Sequence, residues 1–165
     1  MILTLVSHED PILQTPVSDF NFDGDIDPVD LAQNLYETMR EFGGVGLSAN
    51  QVGINTKAFV IGWDEARINV FNPHIVNYTG KEVLMDEGCL SFPGIYMKVK
   101  RPGSVHVKFQ TETGGWKDEV YWGITARIFL HEYDHMIGKT FKDRVTKMKW
   151  DRALTRLVKR IRRMK

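Results

Sequence analysis

Residues 125–138 read Thr-Ala-Arg-Ile-Phe-Leu-His-Glu-Tyr-Asp-His-Met-Ile-Gly. This stretch predicts a helix from about Thr125 to Ile137, closed by Gly138, a residue suited to the left-handed turn after a helix. Inside it, His131, Glu132 and His135 make an HExxH pattern. A four-residue spacing sets both imidazoles on one helical face, one turn apart, where they can grip one metal ion. Glu132 falls on an adjacent flank, placed to hold a metal-bound water rather than the metal. Two neutral imidazoles make a weak site, so a third ligand is expected. The pattern also arises by chance on polar helix surfaces, so the rest of the chain must decide its meaning.

Working outward, the segments 58–63, 69–76, 81–86, 104–110 and 116–122 read as short strands between turns, with Gly114-Gly115 joining the last two as a hairpin. Upstream, Asp27-Pro28 is a helix start, an acidic cap before a proline in the first helical position. Leu31, Leu35, Tyr36, Met39 and Phe42 give that helix a buried face, and Gly43-Gly44 stops it. Pro11 and Pro16 prevent a long helix before it. Residues 150–165 predict a final amphipathic helix. Trp150, Leu154, Leu157, Val158 and Ile161 lie on one face; Arg152, Arg156, Lys159, Arg160 and Arg163 lie on the other. The expected fold class is α+β, with antiparallel β-sheets around the central HExxH helix, as one catalytic domain over residues 1–165.

Length and composition agree. The chain has 165 residues, 42% hydrophobic and 26% charged, which excludes a disordered or fibrous chain. The formal net charge of +1 conceals a division. Residues 139–165 carry 12 Lys/Arg against 2 acids, whereas residues 1–138 carry 10 against 19. An acidic body thus bears a basic tail, a hint of an anionic partner. The single cysteine, Cys89, excludes an internal disulfide and favours a reducing compartment. The opening MILTLVSHED lacks a basic leader and turns acidic at once. No apolar run approaches the ~20 residues of a membrane span. No membrane association is expected, and a cytoplasmic location is: a bacterial cytosol, or a host cytosol for a phage-encoded chain.

The third ligand is not where common HExxH peptidases keep it. The longer pattern HExxHxxGxxH matches at Gly138 but meets Phe141 instead of histidine, and no glutamate follows Glu132. Cys89, in Glu87-Gly88-Cys89-Leu90-Ser91, offers a thiolate, and Gly88 would let backbone approach a metal closely. The glycine-punctuated loop Gly44-Val45-Gly46-Leu47-Ser48-Ala49-Asn50-Gln51 ends in a carboxamide able to donate to an oxyanion. From the residues alone a zinc peptidase recruiting Cys89 stays open, as does a calcium- or RNA-binding module with a degenerate metal site.

Together the segments GVGLSANQ, EGCLS and LHEYDHMIG resemble the three motifs of the peptide deformylases, in the same order and with comparable separations. Asp10-Pro11, Phe71-Asn72-Pro73, Arg101 and Gly138-Lys139-Thr140-Phe141 extend the likeness over almost the whole chain. The resemblance implies removal of the formyl group from the N-terminal formylmethionine of new polypeptides, releasing formate. It implies Cys89, His131 and His135 as ligands of one divalent metal, Fe²⁺ natively, with Zn²⁺, Ni²⁺ or Co²⁺ able to occupy the site. It implies Glu132 as general base, and the Gln51 side chain and Leu90 backbone N–H as oxyanion donors. Val45, Ile124, Ile128 and His131 would line a methionine pocket. Gly46 and the segment Gly94 to Lys98 would dock the peptide, and Arg101 would stand near the open end of the cleft. A monomer is expected.

Three positions depart from the family pattern. Ser48 replaces an alanine, Leu130 replaces the glutamine before HExxH, and Gln14 stands where an arginine is common. Two further signals remain. Asp19 to Asp30 fits a calcium-loop pattern, with Asp30 in place of the usual glutamate, so Ca²⁺ is a weaker expectation there. The basic residues of 150–165 predict a contact with ribosomal RNA through phosphates.

Overall fold

In the computed structural model, which describes residues 1–165, strand alternation builds the middle of the molecule. Strand β2 (Ala58–Trp63) turns Phe59 and Ile61 to one face and Ala58 and Val60 to the other, and both faces are buried. It pairs with β1 (Gly46–Ser48) and with β3 (Ala66–Cys89). Strands β4 (Phe92–Gln110) and β5 (Trp116–Trp122) complete an antiparallel sheet in the order β1-β2-β3-β4-β5.

The α+β class and antiparallel topology are as the sequence predicts, but the strand lengths are not. Segments 69–76 and 81–86 belong to the single 24-residue strand β3, and 104–110 is the far end of the 19-residue β4. The interrupting residues make bulges rather than ends. Register shifts fall between Phe71 and His74, Ile75 and Asn77, and Thr79 and Glu82. Asn72 and Gly80 take positive φ at these places, where an extra residue bends the strand without ending it.

Helix α1 (Pro28–Glu41) covers one face. Asp27 caps it by accepting from the Asp30 N–H at 2.9 Å, and Leu31, Ala32, Leu35 and Met39 pack against Leu47, Val60 and Phe71. Helix α2 (Gly123–Met136) crosses the other face, where Ala126, Ile128, Phe129 and Leu130 meet Phe59, Ile61, Val105, Val107 and Phe109. Gly138, at φ 73°, ends it beside the chain at Thr15; an added Cβ would lie 2.6 Å from the Thr15 carbonyl carbon. Glycine is required there by both conformation and space.

Helix α3 (Lys147–Arg163) starts three residues before the predicted boundary at residue 150, because Thr146 caps it by accepting from the Lys149 N–H. Its inner face is also shorter than predicted. Trp150 and Ala153 are buried with Phe92, Ile95, Met97, Val99 and Phe141, and Leu157 is partly covered. Leu154, Val158 and Ile161 stay exposed, because the helix turns its Trp150, Ala153 and Leu157 side to β4, where Arg160 also reaches the Gly94 carbonyl. The calcium pattern is also corrected. Asp27 is occupied as a cap and Asp19 binds Lys57 at 2.6 Å. Segment 19–30 forms no cluster of three or more ligand-bearing side chains; one such cluster occurs in the chain, and it lies elsewhere.

Candidate metal centre and its cleft

That cluster is Cys89, His131 and His135, whose donor atoms all lie within 4.8 Å of one another. α2 supplies the two histidines one turn apart, and the end of β3 brings Cys89 to them. Cys89 Sγ is 3.6 Å from His135 Nε2. Tetrahedral coordination with metal–sulfur near 2.3 Å and metal–nitrogen near 2.1 Å requires a sulfur–nitrogen separation of about 3.6 Å. The Cys89–His135 pair therefore has the separation such an ion requires, with the His131 donor within 4.8 Å of both. Burial and the neighbouring His131 hold the His135 imidazole well below its ordinary pKa, which keeps it in the neutral form that binds metals.

His131 is oriented from behind. Its Nδ1 lies 2.9 Å from Glu87 Oε1, an arrangement that places the proton on Nδ1 and leaves Nε2 free as a ligand. Glu87 is itself held by Arg101, through Nε at 2.6 Å and Nη2 at 2.9 Å, and by Arg127 Nη1 at 2.8 Å. Burial works against the Glu87 charge, but the bonds from His131 and Arg101 outweigh it and hold the carboxyl well below the usual carboxylate range. Arg101 continues to Asp134 at 2.8 Å, and Arg144 binds the same carboxylate at 3.0 and 2.5 Å.

The expectation that Arg101 borders the open cleft is therefore corrected. Its side chain is 5% exposed and spent on two carboxylates, and it does not line the cavity. The buried demand of Glu87 and Asp134 draws it inward.

Glu132 stands beside the cluster with Oε2 buried and without a hydrogen-bond partner. Burial pushes its carboxyl up to about 7. β1 passes so close that a Cβ on Gly46 would lie 2.5 Å from Glu132 Oε1 and 2.9 Å from Ile128 Cγ2. Only glycine admits that approach.

After Gly46, the chain turns through a short 3₁₀ segment, Ala49–Val52, which seats Gln51. Gln51 Oε1 accepts from the Ser48 N–H at 3.0 Å and lies 2.9 Å from Ser48 Oγ. The amide nitrogen is thus the end presented to the centre, 2.9 Å from Ser91 Oγ and 3.5 Å from Cys89 Sγ. Ser48, which stands where the family pattern has alanine, takes part in holding this carboxamide. Asn50 donates to the His135 carbonyl at 2.9 Å and fastens the loop to α2. Leu130 is buried among the apolar residues of α2, away from polar partners.

These groups open into a cleft of about 510 Å³. Val45, Gly46, Gln51, Cys89, Leu90, Ile124, Ile128, His131 and Glu132 all line it, while His135 sits beneath its floor. Of the predicted docking segment 94–98, Gly94, Ile95 and Tyr96 border the cleft. Sequence reasoning gave no role to Glu87 or Arg127. The available signal for Arg127 was a charged residue among Ala126, Ile128 and Phe129, one helical turn before His131.

Comparison with known proteins agrees with this chemistry. A family profile described as polypeptide deformylase matches residues 2–151. The peptide deformylase of Cytophaga hutchinsonii is 37% identical over 160 residues, covering 90% of this chain and 85% of that one. A peptide deformylase from Synechococcus elongatus, solved with actinonin, superposes with a TM-score of 0.85 at 34% identity, covering 93% of this chain and 85% of that one. One from Acinetobacter baumannii, solved with Met-Ala-Ser bound, gives 0.82 at 28%, covering 88% and 99%. With its Cys-His-His cluster at the floor of a cleft and a buried glutamate beside it, the chain belongs to the polypeptide deformylase family, metal-dependent hydrolases that remove the N-formyl group from nascent polypeptides.

Proposed function

We propose that Cys89, His131 and His135 hold one divalent metal ion, Fe²⁺ in the cell, and that Glu132 is the general base of formyl hydrolysis. The 3.6 Å separation of Cys89 Sγ and His135 Nε2, next to an unpartnered buried oxygen of Glu132, is the observation that supports this reading most directly. When bound, the ion supplies a Lewis acid that makes water nucleophilic near neutral pH. Glu132 accepts a proton from the attacking water and delivers it to the leaving amine as the carbon–nitrogen bond breaks. Formate and a free peptide amine result. Gln51 Nε2 and the Leu90 N–H donate to the oxygen that gains charge during attack.

Val45, Ile124 and Ile128 give the cleft an apolar wall suited to a methionine side chain, and Gly46 keeps β1 close enough to admit only a slim acyl group. The Met-Ala-Ser complex of the Acinetobacter baumannii relative supports a peptide beginning with methionine as the occupant. The predicted test substrate is formyl-Met-Ala-Ser. Protein purified anaerobically and loaded with Fe²⁺ releases formate from it. Glu132→Gln lowers that release by at least ~100-fold while retaining metal. Cys89→Ser with normal metal content and normal rate would falsify the ligand set.

All three proposed ligands and Glu132 come from one chain, which suits an active monomer; a single catalytic domain over residues 1–165 and a cytosolic location belong to the same proposal. No helix is long and apolar enough to cross a membrane. A contact between α3 and ribosomal RNA fits its exposed surface, where Arg152, Lys159 and Arg163 lie on the same helix as uncovered Leu154, Val158 and Ile161, while Arg156 and Arg160, though exposed, also donate to the Tyr96 and Gly94 carbonyls of β4. Ribosome co-sedimentation should weaken with salt and fall when these arginines are neutralised.

A further inference from the structure

We propose that Arg127 is a positioning residue for His131, acting through Glu87. The two residues stand one helical turn apart on α2, and both reach the same carboxylate on β3. His131 Nδ1 takes Glu87 Oε1 at 2.9 Å, and Arg127 Nη1 takes Oε2 at 2.8 Å. Glu87 is therefore pinned by two side chains from the helix that carries the histidine itself. Arg101 binds Glu87 as well, but it divides its charge with Asp134. Without Arg127, one guanidinium would serve two buried carboxylates, with further help for Asp134 from the half-exposed Arg144.

The geometry excludes the more obvious role for an arginine at this cleft. Although Arg127 borders the cavity, its Nη1 also donates to the Val99 carbonyl at 2.6 Å and its Nη2 to the Val83 carbonyl at 2.7 Å. The side chain is 6% exposed. A guanidinium held at three points is not free to swing toward a peptide. Together with the two bonds from Arg101 it fixes the orientation of Glu87, Glu87 fixes the His131 ring with its proton on Nδ1, and Nε2 is left facing the other two donors. A carboxylate behind a metal-binding histidine tunes affinity, and losing such support weakens metal binding by about 10- to 100-fold.

This inference rests on His131 being a ligand, and one set of measurements separates the two claims. Zinc-loaded protein is followed by nitrogen-15 NMR of its histidines, and metal affinity is measured by chelator competition. In the parent, Nε2 of His131 should carry the metal, with a slowly exchanging proton on Nδ1. Arg127→Gln keeps a donor for the Val99 carbonyl but removes the positive charge that Arg127 sets against Glu87. It should weaken zinc affinity by about 10- to 100-fold and make the Nδ1 proton exchange rapidly. Arg127→Lys restores a positive charge and should return affinity to within about threefold of the parent, even if the loss of the Val83 bond lowers the melting temperature.

A folded Arg127→Gln protein with parental affinity and a protected Nδ1 proton overturns the positioning role and leaves the ligand assignment intact. A parent spectrum with no metal on His131 overturns the ligand assignment and the inference with it. If Arg127→Gln does not fold, Arg127→Lys decides. A folded Lys variant that has lost tenfold or more in affinity shows that charge on Glu87 is not what matters, and the proposal fails.

Discussion

Two groups of arginines in this molecule do opposite things. Arg101 and Arg127 are folded inward, buried with Glu87 and Asp134, with Arg144 closing the chain of charges at the half-exposed edge. On α3, Arg152, Arg162 and Arg163 face outward while Arg156 and Arg160 donate to the Tyr96 and Gly94 carbonyls from the helix rim, and Asp151 is the lone acid on that helix. A buried guanidinium is costly to bring out of water and costly to remove afterward, because its carboxylate partners then stand alone in a poor solvent. An exposed one contributes little to stability and much to the potential seen by an approaching anion. The inner group builds the site, and the outer group is available to meet a partner.

The largest expected effect comes from the centre of the inner group. Arg101→Met leaves Glu87 to Arg127 and His131 and Asp134 to the half-exposed Arg144, and should destabilise the protein by about 3 kcal/mol, measured by urea unfolding. A loss below about 1 kcal/mol would show that water reaches these carboxylates and would break the contrast. Arg144→Met should cost less, about 1 kcal/mol. Asp134 keeps Arg101, and the Arg144 side chain is 36% exposed and already screened by solvent. Removing charge from Arg152, Lys159 and Arg163 on α3 should move stability by no more than about 0.5 kcal/mol for each. The same substitutions should reduce the salt dependence of binding to ribosomes or to RNA. A large stability change there would mean that α3 is fastened to the body more firmly than its exposure indicates.

What could be read from the sequence divides along physical lines. The start of α1 was legible because Asp27-Pro28 is a local signal, and HExxH was legible because its spacing is the geometry. β2 and β5 were read at their observed bounds, since their apolar and polar residues are flanked by turn residues. The lengths of β3 and β4 were not legible. Gly80, Gly94 and Pro102-Gly103 are breakers in isolation, yet the strands carry them at irregularities of the ladder, Gly80 and Gly103 at the Thr79/Glu82 shift and Gly94 at the Gly88/Cys89 shift.

Arg101 and Arg127 were misread or missed for a related reason. An arginine is a surface residue by default, and only the carboxylates brought to it by other elements make burial favourable. On α3 the apolar stripe was only partly right, because the side packed on β4 carries Trp150, Ala153 and Leu157, with Arg156 and Arg160 reaching β4 carbonyls at its rim. Leu154, Val158 and Ile161 lie to the side of that contact and stay exposed.

The two-sided burial of β2 carries a consequence for how the molecule comes apart. Phe59 and Ile61 belong to the packing of α2, while Ala58 and Val60 belong to that of α1. Neither helix can detach without uncovering a wall that the other still leans on. In hydrogen exchange, the amides of residues 58–61 should therefore open only with the whole protein. The outer turns of α3, which share no such wall, should exchange first.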